Sequence, residues 1–546
     1  MTSSNHDVES LGKPPAVIND KTFEHDAQSM HEGTNTPAKN EQTHRGFKSR
    51  HSQMIALGGA IGTSLFIGTA LVLRTGGPLF LLLAYMFLCL VTYGVMTGIA
   101  EIASYLPVPG GTMSYYGHKY VSSSMGFALG YLYWYSLGIL VPYELTAVAL
   151  LIEYWSPGVN PAVWMTILLV IIVVLNFLPV HLFGEVEFWG ASTKLLLIIG
   201  LMILSLVLCF GGGPDGRLLG FTYWNNPGAT NTYILEGDTG RFLALLRCFA
   251  LASFAFVLAP EYLIVTAGEM QSPRQNLPKA ARRYVWRLIL LFIPLMICIG
   301  IVCPYDDPQL TLAGTARSPF IIAAKNAGIP VLDSVITAAI IMSASTAGNA
   351  FLYQASRNLY SLAISGAAPS IFKRCDKRGV PYYAIGASAS LSLLAYLSLS
   401  SSTLTVFNWF INITNSSGYI SWMCCTLIYN RFRKACKVHE VESPYRPRIQ
   451  PFGIYFSGVS SFILLLLNGF HIFFPSEWTV GDFISAYIGI PVFLILYLGH
   501  KLVRRNESWI RPTSEIDMLD GMEEVLAAER PTPVLKGLGR LRMIWE

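Results

Sequence analysis

The stretch Gly58-Gly59-Ala60-Ile61-Gly62-Thr63-Ser64-Leu65-Phe66-Ile67-Gly68 governs the reading of the whole chain. It lies in an apolar run, 52–73, long enough to cross a bilayer. Its glycines oppose a continuous helix, each costing about 1 kcal/mol against Ala. Backbone that is not helical is tolerated at membrane depth only where it is buried in protein or lines a cavity. Two readings follow. An unwound turn frees backbone N–H groups at the positive end of the next half-helix, a combination that holds a carboxylate. Alternatively, the glycines let a neighbouring helix pack closely.

Outward from this stretch, the 546-residue chain is 53% hydrophobic and only 13% charged, with a mean hydropathy of +0.47. Soluble domains carry about 25% charged residues. Further apolar runs fall at 79–103, 126–153, 162–180, 188–210, 243–267, 284–303, 330–356, 383–402, 405–429, 453–474 and 482–503. The pattern predicts an all-α polytopic membrane protein with about twelve transmembrane helices. It divides the chain into a disordered N-terminal tail (1–50), a transmembrane domain (51–505) and a C-terminal tail (506–546). No apolar core lies near Met1, so no cleaved signal peptide is expected. Residues Glu515 to Glu529 are acidic, helix-compatible and expected against the inner face. The nine Cys have no ligand-like spacing, and neither a metal site, a cofactor nor a nucleic-acid partner is expected.

Lys and Arg alternate between the loops. One side collects Arg45, Lys48, Arg50, Lys119, Arg274 to Arg287, Arg357, Lys373 to Arg378, Arg431 to Arg448 and Lys501 to Arg505. The other holds Arg74, Arg217, Arg241, Arg317 and Lys325. The positive-inside rule makes both tails cytoplasmic.

A second interruption, Phe254-Ala255-Phe256-Val257-Leu258-Ala259-Pro260-Glu261-Tyr262, lies in the sixth run. Pro260 lacks an N–H and clashes with the carbonyl four residues back, so the Phe256 carbonyl is expected to stand free. Beside it, the Glu261 carboxyl lies in an apolar run, and such groups are functional candidates. Carbonyl and carboxyl together suit an ammonium group; the alternative is a simple proline kink with Glu261 bonded to a neighbouring helix. Runs one and six are each the first of five, the spacing an inverted repeat requires. Lys194 either snorkels to the interface or is a buried charge that exchanges a proton. Glu144 follows Pro142-Tyr143, where a local kink is expected. Ser343, Ser345, Thr346 and Asn349 form a polar stripe, either ordinary interhelical bonding or one wall of a site. No HxxxH or DxxD pattern lies at membrane depth, which argues against an enzyme.

In their order and spacing these residues resemble the fungal amino-acid permeases, the yeast amino-acid transporter family of the amino acid–polyamine–organocation superfamily. The resemblance runs from about Arg45 into the C-terminal tail. It is carried by Ser49-Arg50-His51, Gly59-x-Ile61-Gly62-Thr63, Pro109-Gly110-Gly111, Gly184-Glu185-x-Glu187-Phe188 with Lys194, Ala267-Gly268-Glu269-x-x-x-Pro273-Arg274, Ser318-Pro319-Phe320, and Ser356-Arg357-x-Leu359-Tyr360-x-Leu362-Ala363.

The resemblance implies a LeuT-like five-plus-five inverted repeat with helices one and six broken around the substrate. Gly59, Ala60, Ile61, Gly62, Thr63 and Ser64 would hold a carboxylate. Phe256, Val257, Ala259, Pro260 and Glu261 would face the amino group and side chain. Lys194 and Glu261 would couple protons, and Glu144, Ser345 and Asn349 would form a polar wall. The implied activity is proton-driven import of an α-amino acid across the plasma membrane by alternating access. The partners are the amino acid, protons, the lipid bilayer and cytoplasmic regulators reaching the tails. The alternative is a nutrient receptor on the same fold. Ser64, and Ala259-Pro260, stand where the family usually has glycine, so substrate size is not carried over.

Overall fold

The computed structural model describes residues 61–108, 112–153, 155, 158–267, 270, 272–311, 318–399 and 403–527. The expected N-terminal tail, with Arg45 to Arg50, lies outside the described residues, as do Gly58 to Ala60, Pro109 to Gly111, Gly268, Glu269, Arg317 and everything beyond Ala527. Every regular element among the described residues is helical.

Eight helical segments are long and apolar enough to cross a membrane, and a ninth joins Val480–Tyr487 to Gly489–Val503 across a 46° bend. Pro161–Asn176 is a shorter apolar helix. The first segment, Ser64–Tyr105, is 42 residues long. It is interrupted at Gly77, with φ +77° and ψ 178°, immediately before Pro78. A Cβ at Gly77 would lie 2.9 Å from the Ala229 carbonyl oxygen and 3.1 Å from Thr230 Cα. The loop over residues 229–231 is bonded across this turn: Leu79 N–H donates to the Ala229 carbonyl and Asn231 N–H to the Gly76 carbonyl.

Five helices position the candidate site. They are α1 (Ser123–Ile152), α2 (Val180–Cys209), α3 (Ala259–Ala267), α4 (Leu332–Ile364) and α5 (Thr403–Val438). Ser122 caps α1 by accepting from Met125 N–H, the N-terminal signature its hydroxyl permits. α1 runs as one helix through Pro142 to Ile152 and is packed centrally against α4 and α5. α5 is less apolar than the eight, because Asn412, Thr414, Asn415, Ser416, Ser417 and Ser421 are buried within it. The buried apolar side chains form one continuous core through these helices.

Residues 506–527 cross one end of the bundle, called the tail-side end below. Arg511 N–H donates to the Val121 carbonyl at 2.8 Å, and Tyr105 OH donates to the Met518 carbonyl at 3.1 Å. Lys119 Nζ donates to the Asp520 carbonyl at 2.9 Å. Ile516 and Met518 are buried beneath them.

Gly77→Ala combines a left-handed backbone with an atomic clash, and should lower stability by about 1–3 kcal/mol or more. Gly200→Ala, where a Cβ meets nothing within 4 Å, should be neutral or gain up to about 1 kcal/mol. Thermal unfolding of the two variants in detergent distinguishes these outcomes.

Candidate functional site

The chain enters the first break through Ile61 and Gly62 and forms a π turn at Ser64–Gly68 before helix resumes at Thr69. The turn holds a carboxylate from the protein itself. Thr63 Oγ1 donates to Glu144 Oε2 at 2.9 Å, and Thr63 N–H donates to Glu144 Oε1 at 3.4 Å. A Cβ at Gly62 would lie 2.5 Å from Glu144 Oε1, so a side chain there and Glu144 exclude each other. From α4, Ser343 Oγ donates to the Ile61 carbonyl at 3.4 Å.

The second break runs from the 3-10 turn Ser253–Ala255 to the start of α3. Its pivot is Leu258, buried and left-handed at φ +62°. A non-glycine residue in that region stores about 1–3 kcal/mol unless its surroundings compensate. Pro260 is therefore not a kink inside a continuous helix. It is the second residue of α3, in a first turn where no N–H donor is needed. This corrects one expectation: the Phe256 carbonyl is not free but accepts Ala259 N–H at 3.2 Å. Among the described residues of this break, the carbonyls of Phe254, Ala255 and Val257 accept no backbone N–H. Gly418 of α5 admits this break, since a Cβ there would lie 2.1 Å from Val257 Cγ1.

Between the breaks lies a small space. Gly62, Ser64 and Glu144 line one side, and Tyr143, Phe254, Val257, Tyr262 and Phe351 the other. Tyr143 packs edge-on against Phe254 at 4.7 Å and stacks on Phe407 at 4.5 Å. Beyond Phe254, away from the tail-side end, a second small space reaches Leu71, Tyr85 and Asn408. Toward the tail-side end, Tyr262 and Phe351, 5.9 Å apart, close the first space. The central space is thus bounded by aromatic rings at both ends.

Behind Glu144 lies a buried polar cluster. Lys194, 1% exposed, is acted on by the charges of Glu187 and Glu144. Asn349 Nδ2 donates to Glu187 Oε1 at 2.6 Å, and Asn176 Nδ2 donates to Asn349 Oδ1 at 2.9 Å. Lys194 does not snorkel, because its chain ends among these carboxylates rather than at an interface.

Of the residues singled out from sequence, Ile61, Gly62, Thr63, Ser64, Glu144, Lys194, Val257 and Asn349 are brought together here. Gly59 and Ala60 lie outside the described residues. Phe256 turns away, packing on Tyr85 and Phe292 at 5.4 and 5.3 Å. Ser345, expected in a polar wall, bonds back to the Ile341 carbonyl of its own helix, and it is Ser343 that reaches the first break. Ala259 and Pro260 do not line the central space. Glu261 belongs elsewhere: Ser421 Oγ donates to its Oε1 at 2.6 Å, and Tyr133 OH lies 2.7 Å from that hydroxyl.

Glu187, Asn176, Tyr143, Phe254, Tyr262 and Phe351 went unassigned from sequence. Glu187 had a usable signal: it precedes Lys194 by seven residues, two helical turns, on one face. The aromatics had none, since inside apolar runs they look like core.

The amino acid permease family profile matches residues 51–509. The chain belongs to the amino acid permease family. It is 44% identical over 491 residues to the proline-specific permease of Emericella nidulans, covering 88% of this chain and 89% of that protein. It is 43% identical over 507 residues to the proline-specific permease of Saccharomyces cerevisiae, covering 90% and 80%. The dicarboxylic amino acid permease of Saccharomyces cerevisiae is 37% identical over 492 residues, covering 88% and 80%. The two breaks and the Glu144 cluster thus sit in an amino acid permease, a multi-pass membrane protein.

Thr63→Val removes the hydroxyl donor from a buried carboxylate and should cost about 1–3 kcal/mol. Gly62→Ala should cost at least as much, because Glu144 must leave the turn. Ser345→Ala should stay within about 0.5 kcal/mol. Detergent melting curves of the three variants test this ranking.

Proposed function

We propose that this permease imports a small neutral α-amino acid of the proline class across the plasma membrane, coupled to protons, by alternating access. The observation that carries the reading is the pair of helix breaks facing one apolar-walled space. One break offers the Thr63 N–H and hydroxyl to a carboxylate, and the other the unbonded Ala255 and Val257 carbonyls to an amino group. On this reading the fold is the LeuT-like five-plus-five inverted repeat. About twelve crossings follow if the turn at Gly77 separates the first two. The tail-side end carries Lys119, Arg274, Arg431 and Arg433, which supports a cytoplasmic location for it.

The side-chain side of the space supports the substrate class. Glu144 is the one charged residue among those lining it, and Thr63 holds its carboxylate. No cation awaits a second carboxylate, and Tyr143, Phe254 and Phe351 leave little room for a long basic side chain. The relatives at 43–44% identity are proline-specific permeases.

Coupling follows from charge counting. Glu144 and Glu187 share the single ammonium of Lys194, so the fully ionised cluster carries one excess negative charge in an apolar core. One added proton neutralises it. A protonated Glu144 is a weaker acceptor for the Thr63 N–H and hydroxyl, which frees both donors for the substrate carboxylate. Proton uptake and substrate binding thereby favour each other. On this reading, closure by Tyr143, Phe254 and Phe407 at one end and by Tyr262 and Phe351 at the other corresponds to an occluded intermediate.

Radiolabelled L-proline uptake in permease-deficient yeast, at two pH values, tests this. Uptake should saturate, be competed by unlabelled proline but not by lysine or glutamate, and collapse with a protonophore. Lys194→Met should reach the membrane but lose the pH response, whereas undiminished proton-driven uptake in that variant would sink the coupling assignment.

A further inference from the structure

On the tail-side of Tyr262 lies a separate small cavity. Its carboxyl and amide groups come from two helices. Glu261 lies on α3, and Gln354 and Asn358 lie four residues apart on one face of α4. Gln354 is fully buried, Asn358 is 1% exposed and Glu261 is 6% exposed. Among the described residues, Gln354 Nε2, Gln354 Oε1, Asn358 Oδ1 and Glu261 Oε2 have no hydrogen-bond partner. Buried polar atoms in native proteins are nearly always paired, so a group of orphans around one cavity requires a reason.

The orphan atoms are also held in position. Asn358 Nδ2 donates to the Gly130 carbonyl at 2.8 Å, which fixes its Oδ1. Glu261 Oε1 accepts from Ser421, which fixes its Oε2. Met113, Leu137, Leu258 and Val265 form an apolar wall, and the hydroxyls of Thr112 and Tyr133, which also line the space, are already paired with Ser114 and Ser421.

We propose that this cavity is a second amino-acid subsite, occupied between the central space and the tail-side face. A zwitterion presents a carboxylate that needs donors and an ammonium that needs acceptors. The Gln354 amide supplies donor and acceptor whichever way it is turned. Glu261 Oε2 and Asn358 Oδ1 take the ammonium, which also neutralises a buried carboxylate. The apolar wall takes a small side chain. Neither Gln354 nor Asn358 lines the central space, so the two sites are separable by substitution. Tyr262 lines both, and its displacement would pass substrate from one to the other. The subsite rests on the transport reading above, and it assigns Glu261 to substrate release rather than to the central site.

The test uses the full-length chain in right-side-out and inside-out vesicles, with radiolabelled L-proline as the probe. Gln354→Leu should raise the half-saturating concentration at the cytoplasmic face by about tenfold, as expected for losing one hydrogen bond to a charged group. At the outer face the value should change by less than about twofold. Gln354→Glu, which loses the donor and adds a repelling charge, should affect the same face more strongly. The thermal midpoint of substrate-free Gln354→Leu should not fall, because leucine leaves no amide unsatisfied. Equal shifts at both faces, or an unchanged cytoplasmic value in both variants, would overturn the subsite while leaving transport intact. Absence of proline movement by the unsubstituted chain in either orientation would overturn the transport reading and the subsite with it.

Discussion

A carboxylate in an apolar core is tolerated only when its charge is paired and its lone pairs are bonded. Glu144 meets both conditions through Thr63 on one side and the Lys194 cluster on the other. Much of the local architecture depends on it. Gly62 is glycine because Glu144 Oε1 occupies the volume of a side chain. The first break stays open because Thr63 N–H has a carboxylate partner in place of a helical carbonyl. α1 and the broken segment, more than eighty residues apart in the chain, are joined at this point. On the proposed reading the same contact is what a substrate carboxylate competes for, so the interaction that stabilises the resting site is also the one that transport must exchange.

The second break is organised on a different principle. It has no carboxylate at its pivot; it has backbone strain. Leu258 is held left-handed by complete burial, and Val257 is pressed by the bare backbone at Gly418. Strain of this kind persists only where packing over-determines it, and it is a common property of segments that change conformation. The aromatic closures flank this break, Phe254 before Leu258 and Tyr262 after it. A change at the pivot would therefore move a ring at each end of the central space.

The resemblance read from the sequence and the family match agree on an amino acid permease. Both breaks were visible in advance because Gly and Pro are costly in helices wherever they occur, which is a local property. Lys194, Glu144 and Glu261 were visible because a charge in an apolar run is conspicuous. Their grouping was not. Glu144 was read as a polar wall and Glu261 as an amino-group partner at the central site. In the structure Glu144 takes the first break, and Glu261 lies one layer nearer the tail-side end with Ser421 and Tyr133. Pro260 was read as the cause of the break, whereas the pivot is Leu258, a residue with no special propensity for a left-handed backbone. Ser345 and Ser343 are two residues apart on one stripe, and only the rotation of α4 decides which of them reaches Ile61.

By itself, then, the sequence determined the class of the protein, its apolar helices, its family and the places where two of those helices fail. The class, the apolar helices and the breaks follow from composition and from per-residue costs that need no neighbours, and the family from the resemblance of its motifs. The tertiary structure alone decided which carboxylate meets which break, which aromatics close the central space and which buried amides are left unpaired. Those outcomes depend on the rotation and depth of helices far apart in the chain. Hydropathy is indifferent to both, since an apolar run is equally apolar whichever face it turns to its neighbour.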